Sequence, residues 1–195
     1  MKSRKSTEIR KEEIVQAALG IVEQNGLGKL NIQAIAARVE LVPSAIYRHF
    51  KGRDEIVAAL IEHIDKRLKD NLKQVQAVEG NSIVKLKELF ELHVSLLKEE
   101  AAMPSVLYFL LSSERNPELK ASMLATIVSY VKDVKEMLLQ GQEKGEISAE
   151  IDAMAAAMMF LGLVQPLTIL GQVNKELLDN YPQKLWQIYQ RSITR

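Results

Sequence analysis

The sequence predicts an all-α fold, and three observations carry that prediction. Across 195 residues there are only 5 Pro and 9 Gly, whereas the strong helix formers Ala, Leu, Glu, Lys and Gln are plentiful. Apolar residues recur at helical spacing in one segment after another. No alternating run of β-branched residues bounded by turn residues stands out. The length suits one large or two small domains and is ample for a packed core.

The first helix starts near Ser6 or Thr7 and ends at Asn25-Gly26, a strong stop signal. Its apolar stripe is Ile14, Ala18, Ile21 and Val22. Leu27-Gly28-Lys29-Leu30 then leads to a second helix, where Ile32, Ile35, Ala36 and Val39 fall on one face. Leu41 and Val42 interrupt the pattern, and Pro43 suits the first position of a new helix, where a missing N–H costs nothing. This third helix is expected over Ser44–Phe50, with Ile46 and Phe50 inward and Ser44, Ala45, Tyr47, Arg48 and His49 outward. Leu19, Ile21, Ile35, Ile46 and Phe50 are core candidates. Two short helices joined by a tight turn have the helix-turn-helix geometry, whose second helix enters the DNA major groove.

A long helix follows from Asp54 to about Val78, with Ile56, Leu60, Ile64 and Leu68 recurring every four residues. Asp54 and Glu55 lie in its first turn, where the helix dipole favours acid. Five further helices are expected. Ser82 caps the first, Ile83 to about Glu99. The next runs Met103–Ser113, and Ser112–Arg115 reads as a capped turn. Pro117 opens another, to about Lys144. An uncharged helix spans about Asp152–Gly171, and the last covers Asn174–Ser192 with a kink near Pro182. The total is about nine helices. Residues 1–53 form a head, residues 54–195 a larger body, and the helix 54–78 connects them.

Charge is distributed unevenly between these parts. Residues 1–53 hold ten Lys or Arg against five Asp or Glu, and residues 54–195 hold sixteen against twenty. A basic head bearing a helix-turn-helix is the asymmetry expected of a DNA-binding module. Cys is absent, which excludes disulfides, thiolate metal sites and a thiol nucleophile. The basic start, MKSRKSTEIRK, has no apolar stretch directly behind it and so does not read as a signal peptide. Residues 153–173 are uncharged, but Gln165, Pro166, Thr168 and Gln172 interrupt them and no basic cluster flanks them. Burial in an interface explains this run better than a membrane span. His49, His63 and His93 fall on three different helices and in no metal motif, and no phosphate loop or G-x-S-x-G is present. No metal, cofactor or catalytic residue is therefore expected. A helical protein-interaction adaptor with a basic head is the main alternative to a DNA binder, and a small-molecule enzyme is the lesser one.

The stretch NIQAIAARVELVPSAIYRHFKGR, Asn31–Arg53, resembles the signature of TetR-type transcriptional regulators, T-x-x-x-I-A-x-x-x-G-V-S-x-x-T-L-Y-x-H-F-x-x-K. Ile35-Ala36, Tyr47 and His49-Phe50 match it, and Leu41, Ile46 and Arg53 are conservative variants. Asn31, Glu40, Val42 and Ala45 depart from it, Glu40 replacing a Gly that often serves a positive φ. The resemblance implies a cytoplasmic, ligand-responsive regulator, most often a repressor, that binds near-palindromic double-stranded DNA as a homodimer. By the same resemblance Tyr47 and Lys51 grip phosphates, His49 and Arg53 lie near them, and Asn31 meets the DNA backbone. Gln33, Ser44, Ala45 and Arg48 are placed to meet bases. The family's effector cavity lies among the middle helices, where the candidates are His93, Leu97, Met103, Leu107, Tyr108, Leu111, Met123, Ile127, Tyr130 and Met158. A small apolar or aromatic effector is expected there. The resemblance pairs the last two helices with their copies in a dimer, through Ala156, Phe160, Val164, Leu167 and Trp186.

Overall fold

The computed structural model describes residues 6–112 and 116–194, and these form helices and turns with no strand. The helices are α1 (Thr7–Asn25), α2 (Ile32–Arg38), α3 (Pro43–Ile46), α4 (Arg53–Gln76), α5 (Ser82–Glu99), α6 (Ala102–Ser112), α7 (Pro117–Glu143), α8 (Ala153–Val173), α9 (Leu177–Asn180) and α10 (Pro182–Ile193). The expected last helix is divided at Tyr181 and Pro182 into α9 and α10; counted as one, it gives nine among the described residues. The expected turn at 113–115 and the basic residues Lys2, Arg4 and Lys5 lie outside the described residues.

The chain forms two compact units. The first comprises residues up to Ile64 together with Glu100–Leu124, and the second Asp65–Glu99 with the residues from Ala125 onward. The unit that holds the head thus extends past residue 53 and takes in α6 and the start of α7. Helices α4 and α7 each belong partly to both.

In the first unit, α1 buries Ile14, Ala18, Ile21 and Val22, and the head closes over Ile35, Ile46 and Phe50. Ser6 caps α1, its Oγ accepting from the Ile9 amide. Asn31 caps α2, its Oδ1 accepting from the Ala34 amide at 2.8 Å. Helix α2 then ends in a Schellman arrangement. The Leu41 amide donates to the Ala36 carbonyl at 2.9 Å and the Glu40 amide to that of Ala37 at 3.3 Å. That pattern needs a left-handed residue at Glu40, whose φ is 55°. The turn geometry survives the loss of the signature glycine, and the side chain carries the strain.

The third helix is shorter than the sequence predicts. Regular α-helix stops at Ile46, and residues 47–49 continue as a tightened turn. The Arg48 and His49 amides reach back three residues, to the carbonyls of Ala45 and Ile46, before Phe50 restores a four-residue bond to Ile46. Ile46 and Phe50 are buried as expected.

In the second unit α5, α8 and α10 pack around a cluster of aromatic rings. Phe90 stacks on Trp186 and meets Phe160 edge-on, both at 6.2 Å, and Tyr189 lies 5.7 Å from Phe160. The Tyr189 hydroxyl is satisfied by donating to the Ala156 carbonyl at 2.9 Å, and burial raises its pKa. The start of α5 differs from expectation. Asn81, not Ser82, caps it by accepting from the Val84 amide. The Ser82 amide instead donates to Glu146 at 2.7 Å, and hydrogen bonding from the Ser82 hydroxyl and then from this amide holds that carboxyl below its ordinary range.

Glu40 gives a direct test of the head's turn. A non-glycine left-handed residue costs about 1 kcal/mol, and a surface charge recovers less than that. Glu40→Gly should therefore raise the urea midpoint by the equivalent of roughly 0.5–1 kcal/mol at unchanged m-value. A lowered midpoint would show that the side chain, and not the backbone, governs this turn.

Candidate nucleic-acid interface

Helix α3 and the turn after it present one continuous outer surface. Ser44, Arg48 and Lys51 are exposed, Ala45 is half-buried, and Tyr47 is 55 % exposed although its neighbour Ile46 is fully buried. Gln33 and Asn31 are exposed on α2. A phenol, cations, a hydroxyl and an amide side by side can grip phosphates and reach groove edges. Two of the expected contact residues have structural duties of their own, and a third is partly enclosed.

Arg53 is turned inward. Its Nε donates to the Leu30 carbonyl at 3.0 Å and its Nη2 to that of Leu27 at 2.9 Å, so the guanidinium ties α4 to the turn before α2. The signature cation at this position is therefore a brace. Asn31 is exposed but committed at both ends, its Nδ2 donating to the Lys29 carbonyl while Oδ1 caps α2. His49 is half-buried, and its Nδ1 is enclosed with no hydrogen-bond partner.

Two basic residues unmarked by the motif belong to the same region. Lys11 of α1 sits over the Phe50 ring, 5.4 Å from its centre. Arg38 lies across Gly20 of α1, where an added Cβ would come within 2.5 Å of its Nη2, and donates to Gln24 at 3.1 Å. A glycine inside α1 is the sequence signal for that close approach.

The effector candidates are divided between the two units. In the second, His93 and Tyr130 are buried and paired, Nδ1 to hydroxyl at 3.0 Å with the rings edge-on at 5.3 Å. Burial lowers His93 to about 4 and raises Tyr130, with Asp133 adding to the latter. Leu97 is buried and Ile127 half-buried in that unit, whereas Met158 is 62 % exposed. In the first unit Met103 and Met123 are buried, Leu107 and Leu111 half-buried, and Tyr108 exposed. Met158 and Tyr108 are therefore not enclosed by this chain.

The expected dimer residues require a larger correction. Ala156, Phe160, Val164, Leu167 and Trp186 are all buried inside the second unit. They pack against α5 and α10, with Phe160 and Trp186 in the aromatic cluster. The uncovered face of α8 is the opposite one, carrying Met158, Met159, Gly162, Ile169 and Val173, with Ile188 exposed on α10. Helix α8 has no charged residue to mark its phase, so apolar spacing fits both faces. By length and composition it is the one described helix that could cross a membrane, but 39 % of its apolar window is buried by its own unit.

Comparison with known proteins decides the family. Residues 14–60 match bacterial regulatory proteins of the tetR family, and residues 53–176 match the C-terminal region of YsiA-like proteins. The chain belongs to the TetR family of transcriptional regulators. It is 22 % identical over 171 residues to the fatty acid metabolism regulator protein of Bacillus subtilis, covering 86 % of each chain. The structure of the fatty acid degradation regulator FadR from Bacillus halodurans superposes with a TM-score of 0.81 at 20 % identity, covering 97 % of both chains. FadR of Bacillus subtilis, solved in complex with stearoyl-CoA, gives 0.75 at 21 % identity over 91 % of this chain and 96 % of that one. As a TetR-family member the chain is a ligand-responsive DNA-binding regulator.

The buried His93 makes a pH prediction with a definite sign. Its folded value of about 4 lies below the unfolded 6.5, so between those values the unfolded chain binds the extra proton. Stability contributed at neutral pH is lost as pH falls from about 6.5 to about 4. Between pH 7 and 4.5 the wild-type chain should lose on the order of 2 kcal/mol more unfolding free energy than His93→Gln. Parallel pH profiles for the two proteins would refute the burial of a neutral imidazole.

Proposed function

We propose that this TetR-family chain is a repressor that acts in the cytoplasm, binds a near-palindromic operator as a homodimer, and is released by a small, largely apolar effector. The observation that carries the DNA reading is the exposed row of Tyr47, Arg48 and Lys51 around a buried Ile46 and Phe50. Tyr47 and Lys51 hold phosphates, and Gln33, Ser44, Ala45 and Arg48 meet bases. Asn31 and His49 orient the surface, and Arg53 supports it from behind. No catalytic step or cofactor enters this reading.

Dimerisation is supported by the open face of α8. Met158, Met159, Ile169 and Val173 with Ile188 of α10 form an apolar surface of a kind that monomers rarely leave bare. Gly162 on that face has open space where a Cβ would stand, which permits close helix approach. A two-fold pairing there presents two heads to two half-sites. For the effector, the apolar surroundings of the His93–Tyr130 pair supply one polar anchor in an otherwise hydrophobic region. Stearoyl-CoA in the B. subtilis FadR structure supports a long apolar ligand. Release then requires the ligand to favour one conformation over the other by a few kcal/mol.

Selection of duplexes from a random pool tests this reading. The wild-type chain should enrich one near-palindromic sequence, and stearoyl-CoA or a related acyl thioester should lower the yield at least tenfold. Tyr47→Ala and Lys51→Ala should each weaken binding to the selected duplex and to scrambled duplex alike, by roughly 1–2 kcal/mol. No enrichment over input, or unchanged affinity in Tyr47→Ala, would count against it.

A further inference from the structure

A cleft of about 460 Å³ opens inside the first unit. It lies between the turn Leu27–Leu30, the first turn of α4, and the facing ends of α6 and α7. Its volume falls within the range of small-molecule sites. None of the residues assigned above to effector binding lines it. Its walls are mainly apolar, with Val57 and Leu119 buried and the Phe109 ring half-exposed. Three polar side chains face it: Arg53, Asp54 and Asn116.

The hydrogen bonds of these three decide what chemistry the cleft accepts. Asn116 is committed at both ends, its Nδ2 donating to Asp54 Oδ2 at 3.0 Å and its Oδ1 accepting from the Leu119 amide at 3.1 Å. Asp54 is exposed, holds that amide, and stands 3.5 Å from Arg53 Nη1. Arg53 uses Nε and one Nη2 hydrogen on the Leu30 and Leu27 carbonyls. Of its five N–H groups, the two on Nη1 have only that long contact with Asp54, and one on Nη2 remains. The cleft therefore offers unspent donors from a guanidinium fork and no unspent acceptor beyond a solvated carboxylate already flanked by cation and amide.

We infer that this cleft is a second small-molecule site, which takes a compact apolar or aromatic molecule bearing one carboxylate. The carboxylate pairs with the Arg53 fork, the arrangement in which a planar guanidinium binds most selectively, and the apolar body lies against Phe109, Val57 and Leu119. A cation gains little here, because Asp54 is exposed to water and Arg53 stands beside it. An acid on those unspent donors pulls on the same guanidinium that holds the Leu27 and Leu30 carbonyls, and through them on the turn before α2. That consequence for the head rests on the DNA-binding reading; the binding itself does not.

The test uses the full chain without DNA, and 2-naphthoate as the probe, followed by its fluorescence and by calorimetry. Saturable one-to-one binding is expected, with the matched cation 2-naphthylmethylamine at least tenfold weaker. Phe109→Trp, which fills the cleft, and Arg53→Lys, which keeps the charge but removes the fork, should each weaken naphthoate tenfold or more. Val84→Ser, on the exposed surface of the other unit, should leave binding unchanged. If Arg53→Lys fails to show a cooperative melt, Phe109→Trp decides alone. Absence of saturable binding at millimolar probe would overturn the inference. So would an amine that binds as well as the acid, or loss of binding in Val84→Ser with retention in Phe109→Trp.

Discussion

The grip of Arg53 on the Leu27 and Leu30 carbonyls is the constraint on which the head depends. Arg53 opens α4, while the two carbonyls belong to the turn that separates α1 from α2. Charged donors on backbone oxygens are worth more than neutral ones, roughly 1.5–3 kcal/mol each. Without them the Leu30 carbonyl would turn to water, and that of Leu27 would keep only the Leu30 amide. The Schellman turn at Glu40 fixes the other side of α2, so the helix that precedes α3 is held at both ends. Between these two fixtures Ile46 and Phe50 anchor α3 by burial, and its remaining side chains are free to face outward.

This arrangement gives the basic residue at the signature position a duty inside the fold. A cation beside a bundle of outward cations reads, from sequence, as one more phosphate contact. Its two carbonyl partners are 23 and 26 residues away in the chain and leave no periodic trace. Capping did leave traces. Ser6, Asn31 and Asp152 stand immediately before helices, and each accepts the amide three residues on, although at α5 that role falls to Asn81 rather than the expected Ser82. Breaks at Asn25-Gly26 and at Gly80 were equally legible, because positive φ values of 76° and 142° favour glycine.

The candidate sites were legible in proportion to local constraint. The exposed face of α3 followed from two buried residues spaced four apart, Ile46 and Phe50, and from a proline at the start. The shortened α3 was not legible, since a helix and a tightened turn bury the same residues. Helix α8 shows the opposite limit. It carries apolar residues all round, so the sequence announced that it was covered without indicating which side its own chain covers. The aromatic cluster of Phe90, Phe160, Trp186 and Tyr189 settled that by claiming one face, and the contacts that build it join residues up to 96 positions apart. The pairing of His93 with Tyr130 likewise depends on tertiary packing, and only the unusual position of a histidine among leucines hinted at it.

The central claim is that two such heads hold duplex DNA chiefly through its phosphates, and the dependence of affinity on salt measures that most directly. For a selected operator, eight to ten phosphate contacts per dimer give a slope of log K against log salt of roughly −7 to −9. Two chains per duplex with a slope in that range are the predicted result. A slope near −1, or equal affinity for operator and scrambled duplex at every salt concentration, would contradict it.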